Sequence, residues 1–242
     1  MALVVVRLSI CSKRQEPSIS LPPRDSEECS TPSRPVGIIT LQQARAQTGR
    51  FEREETRRLR VSKIDLMQLH SVSWSWQNVG PLRDWKAQGL VRYIGITKDS
   101  SLLNFDTVED IMRRWRPDFI QVDYSLNNRA AEERLLPAAA ELGVAVLTNE
   151  PFGGVRRGGA PSGHNLFRAV RGKPLPDWAS EFDAATWGQF FLKYLLGNPA
   201  VTAVIPGTDK PAHMADNLGA GRGRPPNAAQ RQRMVRFIEA LA

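Results

Sequence analysis

Few residues in this chain of 242 are of types that carry chemistry. His70 ends an apolar run that begins at Ile64, and a lone histidine there reads most simply as a core imidazole bonded to a backbone carbonyl. Residues 153–163 read Gly-Gly-Val-Arg-Arg-Gly-Gly-Ala-Pro-Ser-Gly. Glycine lets backbone N–H groups approach an anion, so Arg156 and Arg157 could meet a pyrophosphate, although a solvated loop fits equally well. Thr208 and Asp209 stand where either could cap a following helix. Cys11 and Cys29 have no CxxC spacing and no nearby histidine, which argues against a disulfide framework or a zinc site.

The elements that must position these residues alternate in type. Apolar runs at 64–70, 91–97, 119–124, 144–149 and 201–205 read as strands. Between them lie helices expected over 81–89, 107–116, 129–142 and 186–196, with a last one near 228–241. Val108, Ile111, Met112 and Trp115 fall on one helical face. Gly89 and Gly143 stand where helices should stop. Five strands alternating with helices predict a parallel sheet in an α/β fold. No GxGxxG follows the first strand, which weakens a Rossmann reading. The 63 residues before Ile64 are too few for three more βα units at about 30 residues each.

Segment 16–37 carries Pro17, Pro22, Pro23, Pro32 and Pro35 among Ser, Glu and Arg, so neither a helix nor an interior strand can run through it. Residues 1–50 are therefore expected to be a disordered or loosely attached arm, with a short helix starting near Leu41 behind Thr40. The folded unit is expected over 51–242, opening on a charged helix from Glu52 to Arg60.

Lys and Arg number 33 against 25 Asp and Glu, so the formal charge is 33 − 25 = +8. An Arg-rich solvated surface accounts for that excess, which otherwise would attract anionic ligands. No apolar stretch is long enough for a membrane span, and Met1 to Val6 followed by Arg7 makes a poor secretory signal. A cytoplasmic setting is expected, and no membrane partner.

The strand ends carry His70, Thr97-Lys98, Gln121 to Tyr124, Asn149 to Phe152 and Pro206-Gly207-Thr208. With "IDLMQLH" (64–70), "WKAQGLVRYIGIT" (85–97), "FIQVDYSL" (119–126), "NEPFGG" (149–154) and "AVIPGTDKPAHMADNLGA" (203–220), the chain resembles the aldo-keto reductases over about 51–242. The resemblance implies an incomplete (β/α) TIM barrel of about five C-terminal units. It also implies NADP(H) bound at the strand ends and hydride transfer to a small carbonyl. His70 sits where the family's histidine polarises the carbonyl, with its side chain expected at the barrel mouth. Thr97 and Gln121 match the residues that contact the nicotinamide carboxamide. The aromatic that stacks on the nicotinamide falls at Asn149, so that stacking is lost; Phe152 is near, followed by Gly153. Thr208, Lys210, His213, Asp216 and Asn217 match the adenosine-phosphate box. Gly207 and His213 replace the Lys and Arg of many members, which leaves NAD open beside NADP.

The resemblance also exposes an absence. Hydride reaching carbon leaves charge on oxygen, so a proton donor must meet it. The family's donor is a tyrosine supported by a lysine and an aspartate, all placed before the histidine. This chain's three tyrosines, Tyr93, Tyr124 and Tyr194, all follow His70. Before His70 the only lysines are Lys13 and Lys63. The expectation is a reductase with impaired chemistry; the alternative is a truncated, non-catalytic member that binds cofactor. A remote alternative is a DNA-associated basic protein, since Arg222-Gly223-Arg224-Pro225 resembles an AT-hook core.

Overall fold

The computed structural model describes residues 38–41, 62–69, 79–97, 105–153 and 165–241. His70, Lys98, Arg156 and Arg157 lie outside them, as does the helix expected from Glu52 to Arg60. The described strands are β1 (Ile38–Leu41), β2 (Ile64–Leu69), β3 (Val91–Thr97), β4 (Phe119–Asp123), β5 (Ala145–Asn149) and β6 (Ala203–Val204). They form one six-stranded sheet in sequence order, and every neighbouring pair is parallel. Helices α1 (Val79–Ala87), α2 (Phe105–Trp115), α3 (Ala130–Glu133) and α4 (Leu135–Leu142) occupy the first crossovers. Helix α5 (Leu166–Ala169), a 3₁₀ turn at Asp177–Phe182 and α6 (Trp187–Leu196) lie between β5 and β6, and α7 (Pro211–Gly219) and α8 (Ala228–Glu239) follow. No helix among the described residues is long and apolar enough to cross a membrane.

The two faces of the sheet have different company. Met67, Leu69 and Ile94 pack against Leu82 and Trp85 of α1. Ile96, Ile120, Val122 and Val146 join the main core with Val108, Ile111 and Met112 of α2, Leu135 and Ala139 of α4, and Phe190 and Leu195 of α6. The expected stripe on α2 is thus the face that is buried. On the opposite face Leu66, Leu147 and Ile205 form a separate cluster, flanked by Tyr93, Phe119 and Ala203. In a flat sheet β2 and β5 would lie about 14 Å apart, three strand spacings. Contact between their side chains requires a strongly curved sheet with a concave inner face, the curvature of a barrel wall.

Three local departures from the sequence reading have physical causes. Ile38–Leu41 pairs in parallel with Leu66–Leu69, inside the stretch expected to be an arm, and Leu41 ends a strand where a helix was expected to begin. Ile38, Ile39 and Thr40 are β-branched residues suited to a pleat, and the prolines before them masked that signal. The single helix expected over 129–142 is broken at Arg134 (φ −142°). Pro137 explains the break: it has no N–H for the carbonyl of Glu133, but is tolerated in the first turn of a new helix. The last strand is shorter than expected, although Thr202 and Ile205 still bond backbone to backbone with Val146 and Thr148 at 2.9 and 2.8 Å. Gly143 ends α4 in the left-handed region (φ 68°), as expected of a C-terminal glycine.

Candidate functional site

At the C-terminal ends of β2 to β5 the inner face turns polar. Alternation along β2 places Gln68 on the face of Leu66, and alternation along β4 places Gln121 and Asp123 together. Thr97 is paired in register with Gln121, and Asp123 with Asn149. Gln68 donates to Gln121 Oε1 at 2.9 Å, and the Asn149 amide donates to the Asp123 carboxylate. Gln68 and Thr97 are buried, and neither Gln68 Oε1 nor Asn149 Oδ1 has a hydrogen-bond partner among the described residues. The sequence reading singled out Thr97 and Gln121; Gln68 and Asp123 were discoverable from the same period of two, each standing two residues from an inner-face neighbour.

Beyond Asn149 the chain turns sharply. Glu150 takes a positive φ of 51°, and Gly153, at φ 71°, donates its N–H to the Glu150 carbonyl at 3.0 Å. Phe152 stacks obliquely on Phe167 at 5.0 Å, and its carbonyl accepts from Leu166 N at 2.9 Å. Phe152 therefore ties the end of β5 to the start of α5. Gly153 is the first residue of the glycine- and arginine-rich segment.

The second group follows β6. Thr208 Oγ1 accepts from Lys210 N at 3.2 Å, and Lys210, not Thr208 or Asp209, occupies the N-cap of α7 without contributing a side-chain acceptor. The first N–H groups of α7 thus keep no side-chain cap, which suits an anion. Lys210 and His213 are exposed there. Asp216 faces the other way: its carboxylate accepts from Thr186 Oγ1 at 2.8 Å and from Gln189 Nε2 at 2.9 Å, tying α7 to the start of α6. Gly188 permits this, because a Cβ there would lie 2.9 Å from Asp216 Oδ2. Asn217 is buried beside it. Both groups stand at one end of the sheet, since β6 is the neighbour of β5.

None of the three tyrosines is offered to that end. Tyr93 sits on the inner face near the start of β3, edge-on to Phe119, about 13 Å of strand before Thr97. Tyr124 and Tyr194 are buried on the helical side. Both donate to the same oxygen of Glu132, Tyr194 at 2.7 Å, and Arg231 Nη2 approaches that oxygen at 2.5 Å. Burial pushes both phenols well above the ordinary tyrosine range.

The segment resembling an AT-hook is also engaged. Buried Lys193 donates to the carbonyls of Arg222 and Arg224 at 2.6 and 3.1 Å, and its burial lowers the ammonium's pKa. Asp183 accepts from the Arg224 guanidinium at 2.7 Å and from its backbone N–H at 2.8 Å. Those bonds hold the Asp183 carboxyl well below the usual range. Among the described residues no group of acidic, histidine or cysteine side chains could hold a metal ion.

A model described as the aldo/keto reductase family matches residues 45–235. The chain belongs to that family. It is 28% identical over 184 residues to probable aldo-keto reductase 1 of Glycine max, covering 68% of this chain and 52% of that protein. An NADH-specific methylglyoxal reductase of Escherichia coli is 28% identical over 106 residues, 39% of this chain and 30% of the relative. The chain spans about half the length of the soybean relative. Among solved structures, aldo-keto reductase AKR11C1 from Bacillus halodurans superposes with a TM-score of 0.64 at 21% identity, covering 84% of this chain and 71% of that one. An aldo/keto reductase from Klebsiella pneumoniae in complex with NADP and acetate gives 0.62 at 19% identity, covering 84% and 70%. These structural likenesses bear on the fold, a TIM-barrel type of parallel α/β sheet.

Proposed function

We propose that this chain binds a nicotinamide dinucleotide, NADP(H) with NAD(H) as the alternative, at the C-terminal strand ends, and that it reduces small carbonyls poorly or not at all. The observation that carries the binding is the polar row of buried Gln68 and Thr97 with half-buried Gln121 above an apolar floor, close in the sheet to a helix start without a side-chain cap. That donor set fits the group: amides and a hydroxyl for a carboxamide, helix N–H groups and Lys210 for phosphate. A relative described as NADH-specific and a structural neighbour described in complex with NADP support the same reading.

The dinucleotide, when bound, supplies or accepts hydride. Thr97 and Gln121 orient its carboxamide; Phe152 and Gly153 stand beside them where the chain leaves β5. Thr208, Lys210 and His213 border the adenosine-phosphate end, Asn217 lines the adenine, and Asp216 holds α7 in place through Thr186. His70 orients the carbonyl oxygen. Proton delivery is the weak step, because the phenols of Tyr124 and Tyr194 are engaged by Glu132 and hold their protons tightly. The minor-groove alternative is less favoured, since the Arg224 guanidinium is engaged by Asp183.

Titration of tryptophan fluorescence with NADPH and NADH tests the binding: saturable quenching is expected, and none at millimolar ligand refutes it. Loss of NADPH absorbance with an activated aromatic aldehyde tests the chemistry. Brisk turnover that His70→Ala abolishes would overturn the impaired-reductase reading.

A further inference from the structure

Two acceptors at the strand ends have no donor among the described residues. Gln68 and Asn149 each lie two residues beyond a member of the inner apolar cluster, Leu66 and Leu147 respectively. They therefore stand about 7 Å nearer the rim, a polar layer above an apolar one. Gln68 is fully buried; its amide donates to Gln121, and its carbonyl Oε1 has no partner among the described residues. Asn149 is more telling, because Asp123 dictates its orientation. A carboxylate only accepts, so the Asn149 NH₂ must face it and the carbonyl must face away. That carbonyl, Oδ1, is sealed from solvent with no hydrogen-bond partner among the described residues. Buried carbonyls are ordinarily paired. A third unpaired atom, Thr148 Oγ1, lies on the opposite side of β5 by alternation.

We propose that Asn149 Oδ1, oriented by Asp123, accepts a hydrogen bond from the carboxamide N–H of a bound nicotinamide, with Gln68 Oε1 as a second acceptor in the same layer. The proposal rests on the nicotinamide site argued above and deepens it. Gln121 lies two residues before Asp123 on the same strand face, so Gln121 and Asn149 border one stretch of inner wall. Where the family resemblance places a stacking aromatic, this chain instead selects a head group that carries N–H donors. Asn149 becomes a specificity-determining residue and Asp123 a positioning residue.

The test compares NADPH with its acetylpyridine analogue, in which the amide is a methyl ketone that keeps the carbonyl and loses both N–H donors. Fluorescence titration of the intact chain should show about tenfold weaker binding of the analogue, the effect of one buried hydrogen bond. Asn149→Leu should shrink the difference to about threefold or less by weakening NADPH alone, with circular dichroism confirming the fold. Asp123→Asn keeps the shape but frees the Asn149 amide to rotate, and should shrink the difference to about threefold or less. NADPH binding with equal affinity for the analogue overturns the inference and leaves the nicotinamide site standing. A full tenfold preference retained in Asn149→Leu, or in Asp123→Asn where the leucine variant fails to fold, overturns it likewise. Binding of neither dinucleotide overturns both.

Discussion

Replacing Glu132 with leucine removes one carboxylate oxygen on which three donors converge: the phenols of Tyr124 and Tyr194 and the guanidinium of Arg231. Arg231 keeps its bonds to the Tyr194 carbonyl at 3.0 Å and the Tyr124 hydroxyl at 2.7 Å, but loses its counter-charge. Its side chain is 15% exposed and that of Glu132 is 30% exposed, so the pair is mostly out of water. Removing one partner of a buried pair costs about 3–5 kcal/mol. Partial solvation of Glu132 reduces this to about 2–4 kcal/mol. At about 2–4 °C per kcal/mol for a chain of this size, a loss near 3 kcal/mol lowers Tm by about 6–12 °C. Urea denaturation followed by circular dichroism measures it. Adding Arg231→Met, Tyr124→Phe and Tyr194→Phe to the leucine variant should recover most of the loss, because no charge or hydroxyl is then stranded. A single Glu132→Leu variant within about 0.5 kcal/mol of the parent would refute the view that this carboxylate joins α3, α6 and α8 to the end of β4.

The same two phenols make stability fall in alkali. Burial raises their folded-state pKa above the unfolded value of about 10, so the unfolded chain releases protons that the folded chain keeps. Their contribution is complete below about pH 10 and is lost above it, with a slope of about 1.4 kcal/mol per pH unit for each phenol. Denaturation series across that range should show the slope shrink by one such step in Tyr194→Phe; an unchanged slope would contradict the assignment. Gly223→Ala should destabilise by about 1–3 kcal/mol, because the new Cβ would sit 2.5 Å from Asp183 Oδ2 at a φ of 69°. Gly80→Ala, in open space within α1, should instead stabilise by about 0.5–1 kcal/mol; calorimetry giving both shifts the same sign would dismiss the steric account.

Strands β2 to β5 were legible because each is a short apolar run bounded by a helix, and the buried stripe of α2 followed from its spacing alone. Properties that depend on distant partners were not. The strand character of Ile38–Leu41 is evident only once β2 offers a ladder to pair with. The role of Asp216 turns on Thr186, which lies 30 residues earlier in the chain. The cap of α7 was misplaced because Thr208 turns its hydroxyl to Lys210 N, closing a tight turn one step before the helix. At the strand ends the resemblance singled out Thr97 and Gln121, which the sheet places in register, whereas Gln68 and Asp123 stand out only through what they pair with. The engagement of Tyr124 and Tyr194 by Glu132, like the bond from Thr186 to Asp216, is a long-range pairing that a count of tyrosines does not reveal.

The sheet's spatial order equals its order along the chain, with all neighbours parallel. Each βα unit therefore meets chiefly the units made just before and just after it, as bricks in a single course do. Alterations at either margin, at β1 or beyond β6, need not disturb the ladder between β3 and β5, where Asn149 resides. Such a layout localises the effect of a change at one margin to the strands beside it.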